Sequence, residues 1–150
     1  MLFRNCIYAF VGLVFGIGPA FAQNNGWGDL DGLLWQSLAP GRTGEASYWL
    51  PDNADPAVAT VALGITYSHG IEASGSIGID LGLFRPEAGN WALFQPVGDA
   101  FGFEPRDAVF FADRIEISTS TLGPNDARCC PTAVTRWSID RATGAVSKVQ

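Results

Sequence analysis

Apolar residues recur with the spacing of a helix near the beginning of the chain. Four leucines lie at positions i, i+3, i+4 and i+8, which places them on one helical face: Leu30, Leu33, Leu34 and Leu38. Asp29 precedes them as a suitable N-cap residue, and Pro40 with Gly41 ends the pattern. The sequence therefore predicts one short amphipathic helix in this segment.

The chain beyond this helix alternates between apolar and polar residues, as β-strands do. Residues 58–68 are rich in β-branched side chains and apolar on both faces, which is typical of a central strand. Residues 85–90 and 141–144 have the composition of turns. Further strands are predicted at 76–84, 91–97, 108–111, 114–121, 133–140 and 145–149. We expect a mainly β fold, an antiparallel meander or sandwich-like sheet with the helix against one face, and an α+β fold is the alternative.

The first residues follow a different pattern. Arg4 precedes an almost wholly apolar run over residues 6–17, and Ala20 and Ala22 occupy the small-residue positions of an A-x-A cleavage site. The apolar run has about a dozen residues, fewer than the roughly 20 that a membrane-spanning helix needs. The layout is that of a secretory signal peptide, with an uncleaved membrane anchor as the alternative.

We therefore expect residues 1–22 to be a signal peptide that is cleaved between Ala22 and Gln23. Residues 23–150 then form a single β-rich domain that is periplasmic or secreted and has no stable membrane insertion after cleavage. Without Arg4 this domain carries 8 basic and 15 acidic residues, a formal charge of −7. Such a charge gives the domain no electrostatic attraction to nucleic acids or anionic membranes.

The residue types that most often perform catalysis are sparse and scattered. His69 is the only histidine and is expected in an exposed loop after a strand, which is poor support for a zinc site or for a serine hydrolase. The chain has five tryptophans, a number compatible with a sugar-binding face. However, Trp91 and Trp137 alternate with core positions and are expected to be buried. The sequence predicts no catalytic residue and no cofactor, and it favours a protein that is not an enzyme.

Two adjacent cysteines, Cys129 and Cys130, are the most specific chemical feature of the chain. The third cysteine, Cys6, lies in the predicted signal peptide. Neighbouring Cα atoms are about 3.8 Å apart, whereas ordinary disulfides span roughly 4.4–6.8 Å, so a bond between adjacent cysteines needs a distorted or cis peptide and is more easily reduced. The alternatives are free thiols, intermolecular bridges, or a soft-metal site for copper(I) or mercury.

The residues around the cysteine pair predict a rigid turn. Asp126 can form an Asx turn, and Pro131 restricts the residue before it to an extended conformation. Arg128 lies next to the pair, where its charge would lower the pKa of a free thiol. We expect a structural vicinal disulfide at the tip of a loop between two strands.

The segment 101–140 resembles a group of exported, mostly proteobacterial proteins of unassigned function. These proteins share a GPxDxRCCPT loop followed by TRW and a short hairpin. The matching residues in this chain are Gly123, Pro124, Asp126, Arg128, Cys129, Cys130, Pro131, Thr132, Thr135, Arg136 and Trp137. The close match covers roughly the last 50–60 residues. The resemblance implies export and a β-rich domain, and it implies no particular reaction.

Two functions remain open at this point. The first is a non-catalytic domain with a binding or structural role, whose partner would be an envelope protein or a small ligand. The second is a thiol-redox or soft-metal-handling protein that uses Cys129 and Cys130. The lack of a catalytic constellation favours the first.

Overall fold

A computed structural model describes residues 26–69 and 77–149. The predicted signal peptide, its cleavage site between Ala22 and Gln23, and Cys6 lie outside the described residues.

The described part of the chain contains one helix and eight strands. The helix α1 is Leu30–Leu38. The strands are β1 Thr43–Pro51, β2 Ala62–His69, β3 Ile77–Glu87, β4 Asn90–Val97, β5 Phe103–Phe110, β6 Arg114–Thr121, β7 Ala133–Asp140 and β8 Val146–Lys148. The prediction of a mainly β fold with one short helix near the beginning is confirmed.

The strands form two antiparallel meanders of four strands each. β1 to β4 follow one another in the N-terminal sheet, and β5 to β8 do so in the C-terminal sheet. The inner faces of the two sheets share one hydrophobic core, to which the N-terminal sheet contributes Leu63, Ile65 and Leu83 and the C-terminal sheet contributes Ile117 and Ile139. These five side chains have no exposed surface, so burial of both inner faces stabilises the sandwich.

The helix covers the other face of the N-terminal sheet. Leu34 and Leu38 form a second apolar cluster with Phe84. Glycine is needed opposite the helix, since a Cβ atom at Gly82 would lie only 2.8 Å from Leu38 Cδ2. The helix begins at the predicted cap, because an Asp29 carboxylate oxygen accepts a hydrogen bond of 2.9 Å from the Gly32 N–H. The N-terminal sheet is therefore enclosed on both faces, and β2 is buried along nearly its whole length.

The outer face of the C-terminal sheet is polar. Glu116 accepts hydrogen bonds of 2.9 Å from both Arg114 and Arg136, and Arg136 also donates to the Ser118 hydroxyl at 3.2 Å. The two guanidinium groups, with Arg136 contributing most, hold the pKa of the Glu116 carboxyl below its ordinary value. This face is thus stabilised by paired charges, whereas the inner face is apolar.

Several details of the sequence prediction are wrong. β1 was not predicted, and β2 begins at Ala62 instead of residue 58. The turn predicted over residues 85–90 is only two residues long, because β3 continues to Glu87 and the chain reverses at Ala88 and Gly89, both with positive φ. Positive φ at both central residues matches the tightest hairpin turns, whose twist agrees with that of the paired strands.

Two further placements differ from expectation. His69 is the last residue of β2, paired with Thr43 in the ladder, and its imidazole contacts the Glu45 carboxylate. Trp137 is buried as predicted, with 5% of its surface exposed, but Trp91 is only half-buried. Trp91 lies on the helix-covered side of the N-terminal sheet, where it packs at the margin of the small cluster around Phe84.

Candidate functional site

The cysteine pair lies in the loop that joins β6 to β7, residues 122–132, which we call the cysteine loop. The last ladder pair before it is Thr121 with Ala133. The hydroxyl groups of Thr121 and Thr135 are hydrogen-bonded at 2.8 Å beside this pair. The loop therefore starts from two strands that are held together up to its base.

Asp126 organises the cysteine loop. One carboxylate oxygen accepts hydrogen bonds from the N–H groups of Gly123 at 2.7 Å and Thr132 at 2.6 Å, and the Thr132 hydroxyl donates to the other oxygen at 2.8 Å. The N–H of Gly123, followed by that of Thr132, lowers the pKa of the Asp126 carboxyl below its usual range. The carboxylate thus ties the two ends of the loop together. The predicted Asx turn, in which Asp126 would accept from the N–H two residues further on, is replaced by these longer-range bonds.

Cys129 and Cys130 form a disulfide at the tip of the loop. Their Cα atoms are 3.8 Å apart, the separation across a trans peptide, and no cis peptide bond occurs among the described residues. The N–H of Cys130 donates to the Ala127 carbonyl at 3.0 Å, and both cysteines are exposed. Arg128 is exposed directly before them. While the sulfurs are bonded to each other, Arg128 has no thiol on which its charge can act.

An apolar pocket of about 280 Å³ lies against the cysteine loop. Leu122 and Pro131 of the loop form one wall, and Phe101 and Phe103, at the entry to β5, form the other. Three apolar side chains that line this pocket are exposed: Phe101 (61%), Leu122 (53%) and Phe103 (43%). Exposed apolar side chains that cluster around a concavity are typical of interaction sites.

Buried polar groups fix the phenylalanine wall in place. The Phe101 carbonyl accepts hydrogen bonds from the Thr119 hydroxyl at 2.7 Å and from the Trp137 indole N–H at 3.1 Å. The Tyr67 hydroxyl donates to the neighbouring Gly102 carbonyl at 2.9 Å, and its ring stacks on Phe103 with centroids 5.8 Å apart. Because these anchors come from both sheets, the pocket is built on the core of the sandwich.

The structure brings together some of the predicted site residues and adds others. Asp126, Cys129, Cys130 and Pro131 all lie in the cysteine loop, and the predicted bond between the adjacent cysteines is present. The pocket beside them was not predicted. Its only sequence signal is the apolar stretch at residues 101–103, which was assigned to no strand and so had no core position to explain it.

Within residues 26–69 and 77–149, no three His, Cys, Asp or Glu side chains are grouped in a way that could hold a metal ion. In the same residues, no helix has the length and apolar character that crossing a membrane requires. The chain matches no protein-family model, and no match is found among curated proteins or solved structures.

Proposed function

We propose that this protein is an exported, non-catalytic domain that binds a protein of the cell envelope at the apolar pocket beside the cysteine loop. The observation that supports this proposal is the shape and apolar lining of the pocket. Its walls present Phe101, Phe103, Leu122 and Pro131 around a concavity that a single apolar side chain of a partner can fill.

The energetics favour such a contact. Full burial of a leucine or phenylalanine side chain contributes about 1.5–3 kcal/mol, and the strongest contacts of interfaces are apolar or aromatic anchors in well-packed pockets. The bonds to Asp126 and the disulfide order the cysteine loop before binding, so little further conformational entropy is lost when a partner docks. The disulfide serves as a structural staple in this proposal.

The test is site-specific photo-crosslinking in the cells that make the protein. The amino acid p-benzoylphenylalanine replaces Leu122 in one variant and Val58 in the control. Val58 is equally exposed, at 57% against 53% for Leu122, but lies in the loop between β1 and β2. We expect a discrete adduct with one envelope protein from position 122 and none from position 58.

The crosslinking result and a loop replacement can each contradict the proposed binding site. Adducts from both positions, or from neither, would overturn the proposal. Replacement of the cysteine loop by a Gly-Ser loop should abolish capture of the same partner from an envelope extract, and unchanged capture would exclude a role for the loop. Far-UV circular dichroism of each variant confirms that the sandwich is intact.

A thiol-redox function is the second candidate, and the exposure of both cysteines favours it. The reaction would be thiol–disulfide exchange with a partner dithiol. The dithiol is oxidised to a disulfide, and the Cys129–Cys130 bond accepts the two electrons and two protons that the dithiol releases and becomes two thiols. Disulfides that are strained or exposed have potentials above about −300 mV. Reduction would also release Arg128 to favour thiolate, and it would create the only form of the pair able to bind a soft metal.

Titration with dithiothreitol separates the two candidates. Alkylation and intact mass report the fraction of reduced protein, and near-UV circular dichroism reports the fold. Reduction at a potential above about −300 mV in folded protein, with loss of function in Cys129→Ser, would favour the redox function. A bond that is reduced only on unfolding, or a fully functional Cys129→Ser variant, would exclude it.

A further inference from the structure

A second cavity lies on the helix-covered side of the N-terminal sheet. It has a volume of about 780 Å³ and is bordered by Trp27, Trp91, Pro56, Asp29, Gln36 and Asn90. We call it the tryptophan groove. Small-molecule sites commonly have volumes of about 300–1,000 Å³, so the groove is of the size that holds a compact organic ligand.

The two tryptophans that border the groove are held rigidly. Their ring centroids are 5.5 Å apart, and Trp49 contacts both, at 5.9 Å from Trp27 and 5.1 Å from Trp91. Trp49 in turn packs on Phe84, which has no exposed surface, at 5.3 Å. Trp27 and Trp91 are only half-buried, so each keeps indole surface available at the groove. An aromatic surface fixed in this way loses little entropy when a ligand binds.

Polar side chains accompany the aromatic surface. Gln36 and Asn90 are exposed, and each amide carries both donors and an acceptor. Asp29 uses one carboxylate oxygen to cap α1, which leaves the other to accept from a ligand. A wholly apolar ligand would deprive these three groups of water without replacing its hydrogen bonds, and that is unfavourable.

The charge of the groove also selects among ligands. Among residues 26–69 and 77–149, no lysine, arginine or histidine borders it, and Asp29 contributes a negative charge. Phosphate- or carboxylate-bearing ligands, which need cationic or N–H donors, are therefore disfavoured. The groove therefore favours neutral ligands of mixed character. Such ligands have flat, weakly polarised C–H faces that can stack on indole rings, and a rim of hydroxyl groups that can pair with amides and a carboxylate. Sugar rings have both properties.

We propose that the tryptophan groove binds a neutral oligosaccharide. Trp27 and Trp91 stack on the apolar faces of its rings, while Asn90, Gln36 and Asp29 bond to its hydroxyl groups. This site is independent of the apolar pocket, because the two share no residue. The expectation that Trp91 is buried in the core, which argued against a sugar-binding face at the level of the sequence, does not hold.

Intrinsic tryptophan fluorescence and isothermal titration calorimetry with cellotetraose, chitotetraose and maltotetraose test the proposal. We expect at least one of the three to give a saturable change in emission and a matching heat of binding. Trp91→Ala should weaken that binding at least tenfold. Gln36→Ala, at an exposed helical position where alanine is well tolerated, should weaken it about three- to tenfold.

Trp35→Phe is the matched control, since Trp35 lies on α1 but does not border the groove. It should bind the sugar as the wild type does, although its own emission is lost. If none of the three tetrasaccharides shows saturable binding, the proposal is overturned. Binding that survives both Trp91→Ala and Gln36→Ala overturns it equally, and retention in Gln36→Ala alone excludes the role given to that amide.

Discussion

Replacement of Thr119 by valine removes one hydroxyl group from the centre of the molecule and leaves the shape of the side chain almost unchanged. Thr119 has no exposed surface. Its hydroxyl donates to the Phe101 carbonyl at 2.7 Å and accepts from the Trp137 indole N–H at 2.8 Å. The substitution therefore tests whether this buried bridge holds the entry to β5, and with it one wall of the apolar pocket.

The expected magnitude follows from these contacts. A typical hydrogen bond contributes about 0.5–1.5 kcal/mol net, so loss of both would cost about 1–3 kcal/mol. Trp137 keeps its bond of 3.1 Å to the Phe101 carbonyl, so neither remaining group is left wholly without a partner. We therefore expect a loss of about 1–2 kcal/mol in the free energy of unfolding. With a urea m-value of about 2 kcal/mol/M, the midpoint should fall by about 0.5–1 M.

Urea unfolding followed by tryptophan fluorescence and by far-UV circular dichroism measures this shift. Thr43→Val, at an exposed position on β1, is the control and should change the free energy of unfolding by less than about 0.5 kcal/mol. Because the Phe101 wall loses a restraint, crosslinking from position 122 should also decrease in Thr119→Val. A Thr119→Val protein with the stability of the wild type would refute the view that the bridge supports the pocket.

Three further outcomes are expected. Leu34→Ala should lower the free energy of unfolding by about 2–5 kcal/mol in urea denaturation, because Leu34 is 1% exposed and anchors α1 on the N-terminal sheet. Replacing both Cys129 and Cys130 by serine should cost only about 1 kcal/mol, since the bond closes a very short loop, and the melting temperature should therefore change little. The Glu116 carboxyl has a lowered pKa in the folded state, so the stability it contributes is present above its ordinary pKa of 4.5 and is lost as the pH falls through the folded-state value. Melting temperatures measured from pH 7 to pH 3 should thus fall less steeply in Glu116→Gln than in the wild type, and parallel curves would contradict the assigned ion pairs.

The elements with strong periodicity were predictable from sequence. The leucine spacing of α1 and the strand pattern over residues 114–121 each predicted the correct element, and Leu34 and Leu38 of α1 are buried. β3 was also found, but it is buried on both faces at its centre, and Ile77 at its start is 43% exposed. β1 was missed because its residues are mixed in polarity and mostly only half-buried, so no period of two stands out. The turn at Ala88 and Gly89 was overestimated because Arg85, Pro86 and Glu87 are exposed and look like turn residues, although they continue the strand.

The candidate sites also differ in how far they could be predicted from the sequence. The position of the cysteine loop was predictable because its turn formers and the adjacent cysteines are local in sequence, whereas the bond that closes it, from Thr132 to Asp126 six residues before, was not predicted. The apolar pocket and the tryptophan groove depend on contacts between distant segments. Trp27 and Trp91 are 64 positions apart, and nothing in the sequence around either one indicates that their rings meet.

The enclosure of the N-terminal sheet between the helix and the second sheet also governs how the protein can evolve. A substitution in β2 meets a neighbour on whichever face it points to, so a change of side-chain volume there requires a compensating change in α1 or in the opposite sheet. The polar outer face of the C-terminal sheet imposes no such volume matching, and single replacements there alter partly exposed ion pairs. Mutational drift should therefore be slow and correlated in β2 and β3, and fast and independent on the outer face of β6 and β7.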